Sequence, residues 1–367
     1  MTVALFRCDA SAYVGSGHLI RCINLARQLK SRAFTPVFAL SSDPFPLPSS
    51  FCDEFLYLKT SSKSLSTRVD EHLNDPAYLC ELEQDDASET FKLFSTQIAG
   101  PVSILILDHY NLSAVWTSCF TQLCLASSLS PPKILVIDDM FDRPQDCHLI
   151  LDQNLPFASN TFQPKPYFKS KARVISGPMF ALISPEYSLM RPITPFRTKL
   201  RRIFIYFGSC DPLGLTFSTL KALNHPDFSE LAIDVIKFND FDQQEHLVAF
   251  VKSFPNVHLH DTVSSLAALM IRADLAIGAA GCTAWERCCL HLPSIIIQNG
   301  DNQDRNIQAL SESGASIAIP HDLDFKHHLA LSVRKLIYNP AQLFSMSMLS
   351  SSITDGLGCQ RVADSLC

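Results

Sequence analysis

The chain has 367 residues, 47% of them hydrophobic and 18% charged, enough for two ordinary domains with sizeable cores. Lys and Arg number 30 against 36 Asp and Glu, and the formal charge of −6 argues against a surface built for nucleic acid. The apolar run Val3–Phe6 meets Arg7 and Asp9 at once, and no later run approaches the roughly 18 apolar residues of a span, so neither signal peptide nor membrane span is expected.

The strands expected in the first half are Val3–Phe6, Pro36–Leu40, Ser103–Leu107, Ile134–Ile137 and Leu149–Leu151. In the second half they are Ile203–Phe207, Ala232–Phe238, Asp274–Ile277, Ser294–Ile297 and Ser316–Ile319. Runs such as Ile104–Leu107 are apolar on both faces, as central parallel strands covered by helices are. Strands alternating with helical patterns read as doubly wound α/β sheets, and two such domains would set their crevices against a shared cleft. Pro192, Pro195 and the basic patch Lys199–Arg202 interrupt the periodicity between Pro185 and Arg202, which places the domain boundary there. The expected division is residues 1–190, residues 197–350 and a C-terminal tail, 351–367. Residues 41–95 are polar, with poor periodicity. The 13 cysteines are an odd count with no C-x-x-C pair, which reads as reduced thiols in a cytoplasm and offers no zinc site.

After the first strand, Gly15-Ser16-Gly17-His18 leads into a helix with Leu19, Cys22, Ile23, Ala26 and Leu29 on one face. This is neither the dinucleotide fingerprint nor a Walker loop, since Ile20 stands where the third glycine belongs. Such a loop brings backbone close to an anionic ligand, with His18 placed as a base; a first-turn histidine that only solvates the helix end is the alternative. In the second half, Gly278–Cys282 opens the helix of Thr283 and Glu286. Those two residues have the spacing of a capping box, yet the loop also suits a diphosphate and Glu286 a ribose diol. Gly208-Ser209-Cys210-Asp211 is a third small loop. Asp108-His109-Tyr110 and Asp138-Asp139 follow strands where ligand groups gather, either to bind a divalent metal or to cap a turn. His258, His260, His327 and His328 read as surface or turn residues.

These motifs together resemble the UDP-2,4-diacetamido-2,4,6-trideoxy-β-L-altropyranose hydrolases of pseudaminic acid biosynthesis. The resemblance runs from Arg7-Cys8-Asp9 and Gly15–His18 through Asp108-His109-Tyr110, Asp138-Asp139, Asp142-Arg143-Pro144 and Leu151–Asn154 to Gly177-Pro178. It continues in Phe207-Gly208, Asp211-Pro212, Trp285–Cys289, Leu292-Pro293 and Asn302-Gln303. It implies a glycosyltransferase-B type fold, two Rossmann-like doubly wound domains facing a cleft, and inverting hydrolysis of the UDP-sugar at its anomeric carbon. His18 aligns with the family's base and Tyr110 with its tyrosine, while Glu286, Asn302 and Gln303 fall near the nucleotide. The sequence departs from the pattern at Ser184, where arginine is usual, at Gly208-Ser209 and at Cys282. The full assignment is His18 to catalysis and Arg7, Asp9, Gly17, Tyr110, Gly208, Gly281, Thr283, Glu286, Asn302 and Gln303 to substrate, with no metal and no cofactor. The expected partner is a small UDP-sugar, not nucleic acid. A glycosyltransferase of the same fold and a catalytically idle UDP-sugar-binding protein are the rival expectations.

Overall fold

A computed structural model describes residues 2–10, 15–41, 54–58, 76–155, 171–209, 211–236, 241–261, 263, 265–298 and 303–367. The chain forms two units. The first joins residues 1–153, 162–182 and 359–367; the second joins 154–161 and 183–358.

The first unit is built on a seven-stranded sheet in the order β3-β2-β1-β4-β5-β6-β7, with every pairing parallel. Its strands are β1 (Thr2–Cys8), β2 (Phe34–Ser41), β3 (Glu54–Leu58), β4 (Val102–Asp108), β5 (Lys133–Ile137), β6 (Leu149–Asp152) and β7 (Arg173–Ser176). The order reverses between β1 and β4, and the loops leaving their carboxyl ends flank the usual ligand crevice of such a sheet. One face carries helix α1 (Gly17–Lys30), the other α2 (Pro76–Gln97) and α3 (Ala114–Ala126). Phe6 and Ile106 pack on the α1 side with Leu19 and Cys22, whereas Leu5 and Leu105 pack on the other with Trp116 and Phe120. That alternation fixes which polar side chains at the strand ends share a face.

The second unit repeats the design with six parallel strands in the order β10-β9-β8-β11-β12-β13. These are β8 (Arg202–Tyr206), β9 (Ala232–Ile236), β10 (Val257–His260), β11 (Leu275–Gly278), β12 (Ser294–Ile297) and β13 (Ser316–Ile319). Its helices are α4 (Pro185–Met190), α5 (Leu215–Leu223), α6 (Phe241–Val251), α7 (Ala267–Arg272), α8 (Thr283–Cys289), α9 (Asp304–Glu312), α10 (Phe325–Tyr338) and α11 (Pro340–Ser351). The loops after β8 and β11 flank its own reversal point. Among the described residues no helix is long and apolar enough to cross a membrane.

The expected division needs correction at both ends. Residues 183–202 belong wholly to the second unit, held by guanidinium groups as well as by the buried Ile183, Tyr187 and Leu200. Arg197 donates to the carbonyls of Ala273, Leu290 and Met270, and Arg191 to those of Cys289, Ser351 and Thr354. Nor is 351–367 a tail: α12 (Gly358–Leu366) buries Cys359, Val362, Ala363 and Leu366 in the core of the first unit. Lys133 caps it by donating to the carbonyls of Ser365 and Leu366. Of the histidines read as surface or turn residues, His258 is exposed on strand β10, and His260, half-buried on the same strand, has Nε2 2.7 Å from Asp234 Oδ1.

Candidate active site

In the first unit the polar groups gather where β1 and β4 end. Asp108 closes β4 and shares the face of Ile106, so its carboxylate points towards α1 and is wholly buried. His18 and Arg21, one turn apart on α1, both reach it. His18 Nδ1 is 2.6 Å from Asp108 Oδ1, and Arg21 grips the same carboxylate from Nε and Nη2, at 2.6 Å each. Arg21 Nη1 also donates to Asp139 at 2.7 Å, past the end of β5. Burial alone would raise the Asp108 carboxyl, but the Arg21 charge, and then His18, hold it well below the usual carboxylate range. An ionised Asp108 can only accept. His18 Nδ1 therefore donates to it, and in the neutral imidazole that leaves Nε2, which has no partner among the described residues, as the accepting nitrogen. Tyr110 meets the His18 ring edge-on, with centroids 4.5 Å apart at 85°. Gly17 has open space where a Cβ would stand.

Arg7 and Asp9 go elsewhere. Arg7 follows Leu5 onto the opposite face, is fully buried, and spends all three guanidinium nitrogens within the protein. It binds Asp86 of α2 through Nε and Nη2, at 2.9 and 2.8 Å, and Asp9 through Nη1 at 2.8 Å. Neither residue is placed as the direct substrate ligand expected from sequence; a buried ion pair is what the positions hold. Of the acidic pairs weighed for metal, Asp138 receives the amides of Met140 and Phe141 in a turn, and Asp108 and Asp139 anchor Arg21.

In the second unit the loop after β11 is pinned from three sides. Gln303 Oε1 accepts from the Ala280 amide at 3.1 Å, Arg287 Nη2 donates to the Ala279 carbonyl at 2.6 Å, and Asn306 Nδ2 donates to the Ala280 carbonyl at 3.2 Å. Gly278 is obligatory: a Cβ there would lie 2.2 Å from the Tyr206 carbonyl oxygen and 2.8 Å from Arg287 Nη1. A Cβ at Gly281 would touch nothing within 4 Å. Glu286 is buried and its Oε2 has no hydrogen-bond partner in the described structure. Burial pushes its carboxyl up to about 7, against the hydrogen bond from Tyr187 and the charge of Arg287. The capping box does not form, since Cys282 holds the cap position and Thr283 already lies in α8. Gly208, with φ of 115°, follows β8 beside this loop, and Asp211 receives the amides of Leu215 and Thr216. Asn302 and Cys210 lie outside the described residues.

Residues 228–357 match the glycosyltransferase family 28 C-terminal domain. The chain is 24% identical over 313 residues to the UDP-2,4-diacetamido-2,4,6-trideoxy-β-L-altropyranose hydrolase of Campylobacter jejuni, covering 85% of this chain and 97% of that protein. It is also 22% identical over 187 residues to the spore coat polysaccharide biosynthesis protein SpsG of Bacillus subtilis, a match that spans 51% of this chain and only 52% of that relative. Among solved structures, MurG of Acinetobacter baumannii is similar with a TM-score of 0.62 at 14% identity, covering 100% of this chain and 99% of that one. The S. aureus MnaA–UDP co-structure is similar at 0.60 and 11%, covering 99% and 95%. The fold is of the glycosyltransferase-B type.

Within that glycosyltransferase-B fold, the chain resembles the UDP-sugar hydrolases of pseudaminic acid biosynthesis. Of the residues read from sequence, His18, Gly17 and Tyr110 come together in the first unit. Gly281, Thr283, Glu286 and Gln303 surround one loop of the second. Sequence reasoning gave no role to Arg21, Asp86, Tyr187, Arg287 or Asn306; all but Arg287, which reaches back eight residues to Ala279, have partners distant in the chain, and the one available signal was that Arg21 follows His18 by three residues on the same helix.

Proposed function

We propose that this chain is an inverting hydrolase of UDP-2,4-diacetamido-2,4,6-trideoxy-β-L-altropyranose, releasing the free sugar and UDP in pseudaminic acid biosynthesis. The observation that carries the reading is the His18–Asp108 pair, which leaves Nε2 of a glycine-loop histidine open to a water. The Campylobacter jejuni hydrolase, matched along 97% of its length, supports the substrate class. The described cysteines form no disulfide with one another, which agrees with a cytoplasmic enzyme.

In the proposed reaction a water donates a hydrogen bond to His18 Nε2 and loses its proton there as its oxygen attacks the anomeric carbon. The bond from that carbon to the UDP oxygen breaks on the opposite side, and the electron pair leaves with the diphosphate. The imidazolium forms against an ionised Asp108, which stabilises it and takes no proton because Arg21 holds the carboxylate charged. UDP is a competent leaving group, so positioning and diphosphate stabilisation matter more than an acid. Glu286 would accept from the ribose diol through Oε2, and the loop at Gly281 and Thr283 would lie along the diphosphate, with Gly208 and Gln303 beside it.

A glycosyltransferase is the second reading, favoured by the domain match at residues 228–357. It needs the same base and donor, with an acceptor hydroxyl in place of water. Incubation with a panel of UDP-sugars, with and without added acceptors, separates the readings. The hydrolase releases UDP and free sugar from the altropyranose without acceptor. A transferase turns over only with one, and an idle binding protein binds UDP without turnover.

A further inference from the structure

We infer that Arg7, Asp9, Asp86 and His109 are positioning residues that set the geometry of His18 from the far side of the sheet. This inference rests on His18 being the base. The chain of contacts begins at Asp86 on α2, which accepts from Trp116 Nε1 at 2.7 Å and from Arg7 twice. Arg7 passes to Asp9, and Asp9 Oδ2 meets His109 Nε2 at 3.0 Å. The Asn111 amide donates to His109 Nδ1 at 3.1 Å, so the ring proton is on Nε2 and is given to Asp9. Burial, opposed by Asp9, lowers the His109 imidazole below its ordinary value and keeps it in that neutral form. All four side chains are buried.

The position of His109 gives this network its function. Its neighbour on one side, Asp108, orients His18 at 2.6 Å; its neighbour on the other, Tyr110, lies against the His18 ring. Arg143 fastens the same loop by donating to the carbonyls of His109 and Leu112, at 2.8 and 2.7 Å. A backbone shift at His109 therefore moves both groups that touch the base. A buried ionic cluster is seldom better for stability than an apolar one of equal volume, whereas its fixed angles define geometry well. Shifts near 1 Å at a reacting centre are costly in rate.

The experiment is a double-mutant cycle on steady-state hydrolysis of UDP-2,4-diacetamido-2,4,6-trideoxy-β-L-altropyranose by the full chain. Asp9→Asn and His109→Ala each lower kcat about 10- to 100-fold with KM within about threefold. His109→Gln, which keeps a donor aimed at Asp9, recovers most of the loss seen with His109→Ala. In a His18→Ala background the same substitutions add less than about twofold, because the residue they act through is gone. Losses that multiply in that background overturn the inference, and so does a rise in KM at unchanged kcat, which would make Asp9 a direct substrate ligand. If Asp9→Asn fails to fold, the His109 pair alone reads the same cycle. A His18→Ala enzyme with full activity instead removes His18 as the base, a separate failure.

Discussion

His18 Nδ1 and Asp108 Oδ1 stand 2.6 Å apart in a buried contact at the end of β4, and the same oxygen takes Arg21 Nη2 at 2.6 Å. His18 and Arg21 thus share one carboxylate, which orients the imidazole through Nδ1. Asp108→Asn can present an amide donor to Nδ1 and stabilise the wrong tautomer. We expect kcat to fall about 10²- to 10⁴-fold, with UDP affinity in calorimetry within a few-fold of wild type.

His18→Ala and His18→Asn should lower kcat by a similar about 10² to 10⁴ and leave UDP binding nearly intact. The nucleotide groups proposed here lie in the second unit, so a calorimetric titration with UDP reports on them independently. Normal turnover in either variant would remove His18 from the chemistry.

The pH dependence of stability carries a signature of each buried carboxyl. Asp108 is depressed in the fold, so its stabilising contribution is present above its ordinary value of 3.8 and disappears only as pH falls through its lower folded value. Glu286 has the opposite sign. Its folded value, raised from 4.5 to about 7, penalises the ionised form, so this term lowers stability as pH climbs through that window. Glu286→Gln should therefore be more stable than wild type near pH 9, by an amount on the order of 3 kcal/mol, with the difference shrinking towards about pH 4.5. Denaturant melts at the two pH values check it. Glu286→Ala should also weaken UDP more than a ribose-lacking diphosphate.

Gly278 and Gly281 separate folding from binding within a single loop. Gly278→Ala drives a methyl into the Tyr206 carbonyl and should destabilise the second unit by about 3 kcal/mol or more. Gly281→Ala meets open space, so its melting temperature should stay near wild type while UDP binding weakens as the methyl enters the proposed diphosphate path. Unchanged UDP affinity in Gly281→Ala would move the diphosphate away from this loop.

The parts of the fold legible in the sequence are the central ones. Runs such as Ile104–Leu107 and Ser294–Ile297 are buried on both faces, and their uninterrupted apolar character says so. The strands that escaped reading, β3, β7 and β10, are all sheet edges, short and only partly buried, so their pattern is weak. The glycine loop exposed His18 because loop, helix start and base are contiguous. The roles of Arg21 and of the Arg7–Asp86 pair stayed hidden because these carboxylates lie 87 and 79 residues away, and no local spacing encodes such a contact. Arg7 and Asp9 read as ligands for the same reason: a charged pair beside a glycine loop looks alike whether it faces substrate or α2.

The central claim is attack of water on the anomeric carbon, and hydrolysis in ¹⁸O-labelled water tests it most directly. With UDP-2,4-diacetamido-2,4,6-trideoxy-β-L-altropyranose as substrate, mass spectrometry should find the label on C1 of the released sugar and none in UDP. Early NMR spectra should show the first-formed anomer inverted, before mutarotation. Label in the β-phosphate of UDP would mean attack at phosphorus and would contradict the account, as would turnover that begins only when an acceptor alcohol is added.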